Sequence, residues 1–158
     1  MPDVDTDRLI WIVVGVQLNA ELGDRPLAYR VEQEVRERLA AALPAPADGE
    51  LPALVPAVIS DVLYLNNESV QDRPTISIGG PGVNALAGVL TDRLPAALAI
   101  ENQLVIQMDQ EMPPGRRQCA VWGMDHLQTV RAVDLFCARG YLDTFVRAAV
   151  AGLGDADG

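Results

Sequence analysis

The single histidine of the chain, His126, is its only side chain with an ordinary pKa near neutrality. It follows Asp125 at the predicted start of a helix, where the helix dipole favours the neutral imidazole that a general base requires. Asp61 closes a predicted strand and offers a further carboxylate for acid–base chemistry. His126, Asp125 and Asp61 are therefore the candidate catalytic residues. The alternative interpretation is that Asp125 only caps the helix and that His126 is an exposed residue of its first turn.

The residue types of the chain give less support to covalent catalysis or metal binding than to acid–base chemistry. Cys119, Ser60 and Ser77 could each act as a nucleophile by type, but position argues against them: Cys119 begins its predicted strand and Ser77 lies in the middle of one. One histidine and two widely spaced cysteines do not make a zinc site. The chain also has no lysine, which excludes Schiff-base chemistry and the lysine of a P-loop. No metal and no cofactor are predicted, and whether the protein is an enzyme stays open.

The stretch "IGGPGVNAL", residues 78–86, leaves an apolar run and enters a predicted helix. Unpaired N–H groups at such a helix start can bind an anion, although Pro81 removes one of them and the glycines do not have G-x-G-x-x-G spacing. The alternative interpretation is a tight turn in which Asn84 caps the helix. If the stretch is a turn and either Gly80 or Gly82 has a positive φ, replacing that glycine by alanine is expected to lower the stability of the protein.

Short apolar runs and four-residue spacings predict the elements that hold these residues. Strands are predicted at residues 9–16, 57–60, 75–79 and 119–124, with a hairpin over residues 97–109 that turns near Asn102. Helices are predicted from Asp24, as N-cap, to Pro44, over residues 85–94, and over residues 126–151 with an interruption at Gly140. Residues 17–24 and 61–69 are predicted to be irregular.

This alternation predicts an α/β fold, a single Rossmann-like three-layer domain with a mainly parallel sheet and an antiparallel edge hairpin. The domain covers residues 1–151, and residues 152–158 form a flexible acidic tail. Ligands bind to such sheets beyond the carboxyl ends of parallel strands, so residues that follow the strands are expected to meet on one rim. The candidate ligand-binding residues chosen in this way are Asn19, Gly79, Gly80, Gly82, Asn84 and Thr129.

Composition limits the partners and the location. The chain has 158 residues with 22 acidic and 12 basic side chains, a formal net charge of −10, and no basic stripe for nucleic acid. The longest purely apolar run, residues 9–16, is too short to span a membrane, and the acidic start of the chain does not resemble a signal peptide. A soluble, cytoplasmic protein is therefore expected, with Cys119 and Cys137 reduced and buried.

Two stretches together resemble archaeal S-layer-type domains: "IGGPGVNAL" and, some forty residues later, "VWGMDHLQTVRAV" (residues 121–133). They match the patterns GGP-x-x-N and G-x-D-x-x-x-T-x-x-A over about residues 78–133. The matching positions are Gly79, Gly80, Pro81, Asn84, Gly123, Asp125, Thr129 and Ala132. The resemblance implies a structural, surface-associated, non-catalytic module. It also implies that the GGP…N stretch is a strand-to-helix turn capped by Asn84. Residues 1–70 show no match, and a secretion signal is missing.

Two functions follow as expectations. The first is a non-catalytic module that binds a protein partner or a second copy of itself through a sheet edge or face. The second is a small-molecule binding protein or a hydrolase with its site on the rim. Its ligand would be a nucleotide, a phosphorylated metabolite or another small anion. The residues expected to form it are Asn19, Asp61, Gly80, Asn84 and His126.

Overall fold

The computed structural model describes residues 6–155, which form one mixed six-stranded sheet with helices on both faces. The strands are β1 (Leu9–Val14), β2 (Val55–Ser60), β3 (Thr75–Ile78), β4 (Ala96–Ile100), β5 (Leu104–Met108) and β6 (Gln118–Gly123), in the spatial order β2-β1-β3-β6-β5-β4. The first four strands in this order are parallel, β5 is antiparallel to β6, and β4 is antiparallel to β5. The predicted α/β class, with an antiparallel hairpin at the edge, is confirmed.

In the described part of the chain, five α-helices cover the sheet: α1 (Arg25–Ala42), α2 (Asp61–Leu65), α3 (Ala85–Thr91), α4 (His126–Ala138) and α5 (Tyr141–Asp155). The apolar side chains of α1, α4 and α5 pack on one face of the sheet, and those of α2 and α3 pack on the other. Alternate residues of β1 therefore enter both cores, with Ile12 on the first side and Trp11 on the second. Burial on both faces explains why β1 is a continuous apolar run and not an alternating one.

The start of α1 differs from the prediction. A five-residue π-helical segment, Ala20–Asp24, leads directly into α1, where residues 17–24 were expected to be irregular. Asp24 has helical backbone angles and its side chain makes no capping hydrogen bond, so its predicted role as N-cap is wrong. The physical reason is that the chain is already helical at this point, so that the N–H of Arg25 donates to the carbonyl of Ala20. The Asp24 carboxylate therefore does not bind the backbone N–H groups at the start of α1.

Other helix boundaries follow local signals. Ser60 caps α2 by accepting a hydrogen bond from the N–H of Leu63 at 3.2 Å, so a helix begins where an irregular segment was predicted. The predicted helix over residues 126–151 is two helices that meet at Gly140, which has a φ of +86°. Asp125 caps α4 through a 2.8 Å hydrogen bond from the N–H of Gln128. Since α5 extends to Asp155, part of the predicted acidic tail is helical.

Residues 1–5 and 156–158 lie outside the described part of the chain. Within that part, no helix combines the length and the apolar character needed to cross a membrane.

Candidate functional site

An open cleft of about 660 Å³ lies at the carboxyl ends of the parallel strands. Its lining residues come from residues 19–24 before and at the start of α1, from residues 80–83 after β3, and from residues 122–129 around the start of α4. These segments are brought together because β1, β3 and β6 are adjacent and parallel. The cleft therefore occupies the position where α/β sheets commonly bind ligands.

The central feature of this cleft is the pair formed by Asp24 and His126. Asp24 is buried, with a relative exposure of 6 %. Its Oδ1 lies 3.5 Å from Nδ1 of His126, whose side chain is largely exposed. Desolvation by burial raises the pKa of the Asp24 carboxyl, and the facing His126 partly opposes that rise. Within residues 6–155, Asp24 has no other side-chain hydrogen-bond partner, so a buried carboxylate is left with one long contact.

Two glycines make room for this pair. A Cβ at Gly79 would stand 2.7 Å from Oδ2 of Asp24, and a Cβ at Gly23 would stand 2.8 Å from Nδ1 of His126. Gly79 also has a φ of +100°, which L-residues with a side chain rarely adopt. The backbone on both sides therefore approaches the carboxylate and the imidazole more closely than a side chain would permit.

The groups of this arrangement that could exchange protons are the imidazole of His126 and the carboxylates of Asp24 and Asp125. An imidazole whose Nδ1 faces a carboxylate keeps Nε2 as its second proton-exchanging atom. Serine, cysteine and lysine are absent from the lining residues. Thr129 does line the cleft, but its hydroxyl accepts from the N–H of Gly123 at 3.1 Å and donates to the carbonyl of Asp125 at 3.1 Å. Thr129 thus ties the start of α4 to β6.

The remaining predicted site residues separate into two groups. Those that line the cleft are Asn19, Gly80, Gly82, Asp125, His126 and Thr129, while Gly79 lies beneath Asp24. Asp61 and Asn84 do not line it. Oδ2 of Asp61 accepts from the N–H of Ala85 and its Oδ1 accepts from the N–H of Val62, both at 2.8 Å. Asp61 therefore joins α2 to α3.

The side chain of Asn84 is fully engaged in hydrogen bonds within the protein. Its side-chain amide donates to the carbonyls of Val13 and Ile78 and to Oγ of Ser77, at 3.2, 2.9 and 3.1 Å. Its Oδ1 accepts from the N–H of Leu86 at 3.0 Å, so the predicted helix cap is confirmed. A side chain with four protein hydrogen bonds has little left to offer a ligand.

The glycine-rich loop between β3 and α3 is a turn. The carbonyl of Gly80 accepts from the N–H groups of Val83 and Asn84, and the next two N–H groups are bound by the side chains of Asp61 and Asn84. The N–H groups of residues 83–86, which lead into and begin α3, are therefore already paired. Neither Gly80 nor Gly82 has a positive φ.

The two cysteines are buried, and their thiols are poor candidates for proton transfer. Burial raises the pKa of Cys119 and raises that of Cys137 to about 11. In residues 6–155, no cluster of three or more His, Cys, Asp or Glu residues is arranged to hold a metal ion.

A second cleft, of about 330 Å³, lies between the end of α1 and residues 43–56. Alanine, leucine, proline and valine form most of it, and Arg36 is its only charged lining residue. Since Arg36 also donates to the carbonyl of Pro56 at 3.4 Å, this cleft offers little chemistry beyond apolar contact.

Sequence reasoning missed the pairing of Asp24 with His126, because Asp24 had a sufficient local explanation as a helix cap. The available signal was the pair of glycines: Gly23 leaves space for the imidazole of His126, and Gly79, directly after β3, leaves space for the carboxylate of Asp24. The chain matches no protein-family model and no curated protein. The resemblance to archaeal S-layer-type domains therefore stays a prediction.

Proposed function

We propose that the protein binds a small organic molecule in the rim cleft, with a neutral or cationic hydrogen-bonding group of that molecule placed against Asp24 and His126. The observation that carries the proposal is the buried Asp24 carboxylate, whose one side-chain partner is an exposed histidine at 3.5 Å. Burying a carboxylate is costly unless several donors compensate it. Asp61 receives two backbone donors at the same rim, whereas Asp24 receives none.

The lining residues favour a ligand that is not an anion. They include no arginine, and they include two carboxylates, Asp24 and Asp125. The net charge of −10 adds a field that attracts cations and repels anions. A phosphate group would find no arginine or lysine among the lining residues to bind it. The nucleotide or sugar phosphate expected from the sequence is thus less well supported than an amine or a neutral hydrogen-bond donor.

The apolar side chains around the cleft favour a ligand with an apolar body. Leu22 and Met124 line the cleft and are 73 % and 62 % exposed, and Leu127 next to His126 is 66 % exposed. Trp122 lies beneath Gly80 and also lines the cleft. The volume falls within the range of about 300–1,000 Å³ typical of small-molecule sites. An apolar body with one polar or cationic end fits both parts of the lining.

The test is a thermal-unfolding screen with compounds grouped as amines, neutral hydrogen-bond donors and phosphates. A ligand at about a hundredfold its Kd adds about 2.7 kcal/mol to the free energy of unfolding. We expect stabilisation by amines or neutral donors, and loss of that stabilisation in Asp24→Asn and His126→Ala. Asp92→Asn, which removes the same charge from an exposed position outside the cleft, is the control and should keep it. A screen with no stabilising compound, or stabilisation that survives both cleft substitutions, contradicts the proposal.

A second candidate function is the interaction module expected from the sequence. The observation that favours it is the edge strand β4, in which Ala96, Ala97 and Ala99 are exposed and no residue is charged. An exposed, uncharged edge strand can pair with another strand through its free backbone groups.

A further inference from the structure

The two edges of the sheet differ in how they are protected. At the β2 edge, Pro56 has no N–H to offer, and Arg36 covers its carbonyl with a hydrogen bond of 3.4 Å. Arg8 donates to the carbonyl of Pro52 at 2.9 Å, in the segment that leads into β2. Proline and arginine at an edge are devices that prevent strand pairing with another molecule.

The β4 edge has much weaker protection. Within residues 6–155, β5 is the one strand that pairs with β4, and the other side of β4 faces no strand. The strand "AALAI" contains neither a charge nor a proline, and Leu98 and Ile100 are only partly buried. A register shift between Ala96 and Leu98 distorts the start of the strand. Residues 98–100 pair with β5 in regular register. On its open side the strand presents backbone N–H and C=O groups that meet no strand within residues 6–155, along an apolar strip.

We propose that β4 pairs in antiparallel orientation with β4 of a second copy of this chain, so that two six-stranded sheets join across a two-fold axis. An antiparallel strand pair of identical sequences is self-complementary, because each residue of one copy meets the same partner as its equivalent in the other. The backbone hydrogen bonds supply the pairing, and the partly buried Leu98 and Ile100 supply apolar contact across the junction.

The charges that flank β4 also fit a second copy. Arg93 precedes the strand and Glu101 follows it, and both are exposed. Antiparallel pairing centred on Ala97 places Arg93 of one copy opposite Glu101 of the other at both ends of the junction, with the exposed Asp92 beside each Arg93. Each chain carries a net charge of −10, so association requires a contact strip without acidic residues of its own, and β4 is such a strip. Because the β2 edge is protected, pairing closes at two copies and does not continue into a fibre.

The first test is the mass in solution, measured by analytical ultracentrifugation over a wide range of protein concentration. We expect the wild-type protein to approach twice 17.0 kDa as concentration rises. Ala99→Lys places two like charges at the junction and should raise the dissociation constant by about tenfold or more. Ala138→Lys, an exposed alanine in the last turn of α4, is the matched control and should dimerise as the wild type does. A wild-type protein that stays monomeric, or an Ala99→Lys variant that dimerises normally, overturns the proposal.

The second test is hydrogen exchange of the wild-type protein, which needs no variant to fold. We expect the amides of β4 to exchange more slowly at high than at low protein concentration, while those of β2 stay unchanged. Exchange of β4 that is independent of concentration overturns the proposal. The result is separable from the ligand proposal, because β4 does not line the rim cleft. A monomeric Ala99→Lys variant should still be stabilised by any ligand that stabilises the wild type.

Discussion

Polar side chains at the same rim of the sheet differ in how many hydrogen bonds they make within the protein. This difference decides which of them are available to bind a ligand. Asn84 and Asp61 are buried and bonded to the backbone, so they hold β3, α2 and α3 in place. Asp24 is equally buried but faces only His126. A buried group that gains little from its own protein lowers stability, and such groups are concentrated at functional sites. Of Asp24, Asp61 and Asn84, Asp24 has the fewest hydrogen-bond partners within the protein, so it is the strongest candidate of the three for binding a ligand.

Replacing Asp24 by asparagine should reveal this cost as a pH-dependent change in stability. The folded state raises the pKa of Asp24, so it holds the carboxyl proton to a higher pH than the unfolded state does. The stability contribution of this group is therefore present at acid pH and is lost as pH rises through the folded pKa. We expect Asp24→Asn to become more stable than the wild type toward neutral pH, by about 1 kcal/mol, the scale of one poorly satisfied buried group.

The measurement is urea-induced unfolding of both proteins at acid and neutral pH. The titratable and charged groups near Asp24 are His126 and Asp125 at the start of α4 and the Glu21–Arg25 ion pair, and the variant changes none of these residues. Asp92→Asn, at an exposed position, serves as the control for loss of one negative charge. A variant that is less stable than the wild type at neutral pH would mean that the contact with His126 outweighs the cost of burial.

At the scale of elements, the loop between β3 and α3 shows where glycine is required. The required positive φ occurs at Gly79, the first residue after β3, and not at the later glycines of the turn. A Cβ at Gly82 would meet nothing within 4 Å, whereas a Cβ at Gly80 would approach Trp122 to 3.1 Å. The loop thus contains one glycine fixed by conformation, one near a side chain, and one with no constraint.

We expect Gly79→Ala to lower the free energy of unfolding by about 1–3 kcal/mol, because alanine is strained at this φ and its Cβ would collide with the Asp24 carboxylate. Gly82→Ala is the matched control in the same loop and should change stability by no more than about 0.5 kcal/mol. Chemical denaturation of both variants provides the comparison. Equal effects of the two substitutions would show that the turn does not depend on the conformation of Gly79.

Elements whose signals are local could be predicted from the sequence, and elements shaped by contacts could not. The run of residues 9–16 and the four-residue spacing from Leu27 to Leu39 report burial directly, so β1 and α1 were predicted. The segment Ala20–Asp24 contains glycine and polar residues typical of a turn, yet it is helical and leads into α1, with Ala20 fully buried. The Asp24–His126 pair arises from the adjacency of β1, β3 and β6, which no local pattern encodes.

At the scale of the whole molecule, the two cysteines report on one continuous core. Cys119 and Cys137 belong to the same apolar cluster, which joins α1, α4 and α5 to the sheet. Two contacts hold the later turns of α4 to α1: Arg30 pairs with Asp134 at 2.6 Å, and Arg38 donates to the carbonyl of Cys137 at 3.2 Å. Cys119 is fully buried under the helical layer, and Cys137 is buried on α4 beside α1, so full exposure of both thiols requires the helices to leave their packed positions.

We expect both thiols to resist a disulfide reagent such as dithionitrobenzoate in the native protein at neutral pH, and to become reactive together as the protein unfolds. The thiolate is the reactive species, and burial raises the pKa of Cys137 to about 11, so little thiolate exists at neutral pH. Mass spectrometry of the labelled protein across a urea series distinguishes the two sites. Cys137→Ala is the control that isolates Cys119. Labelling of Cys137 at urea concentrations that leave Cys119 unlabelled would show that the end of α4 opens separately and that the core does not unfold as one unit.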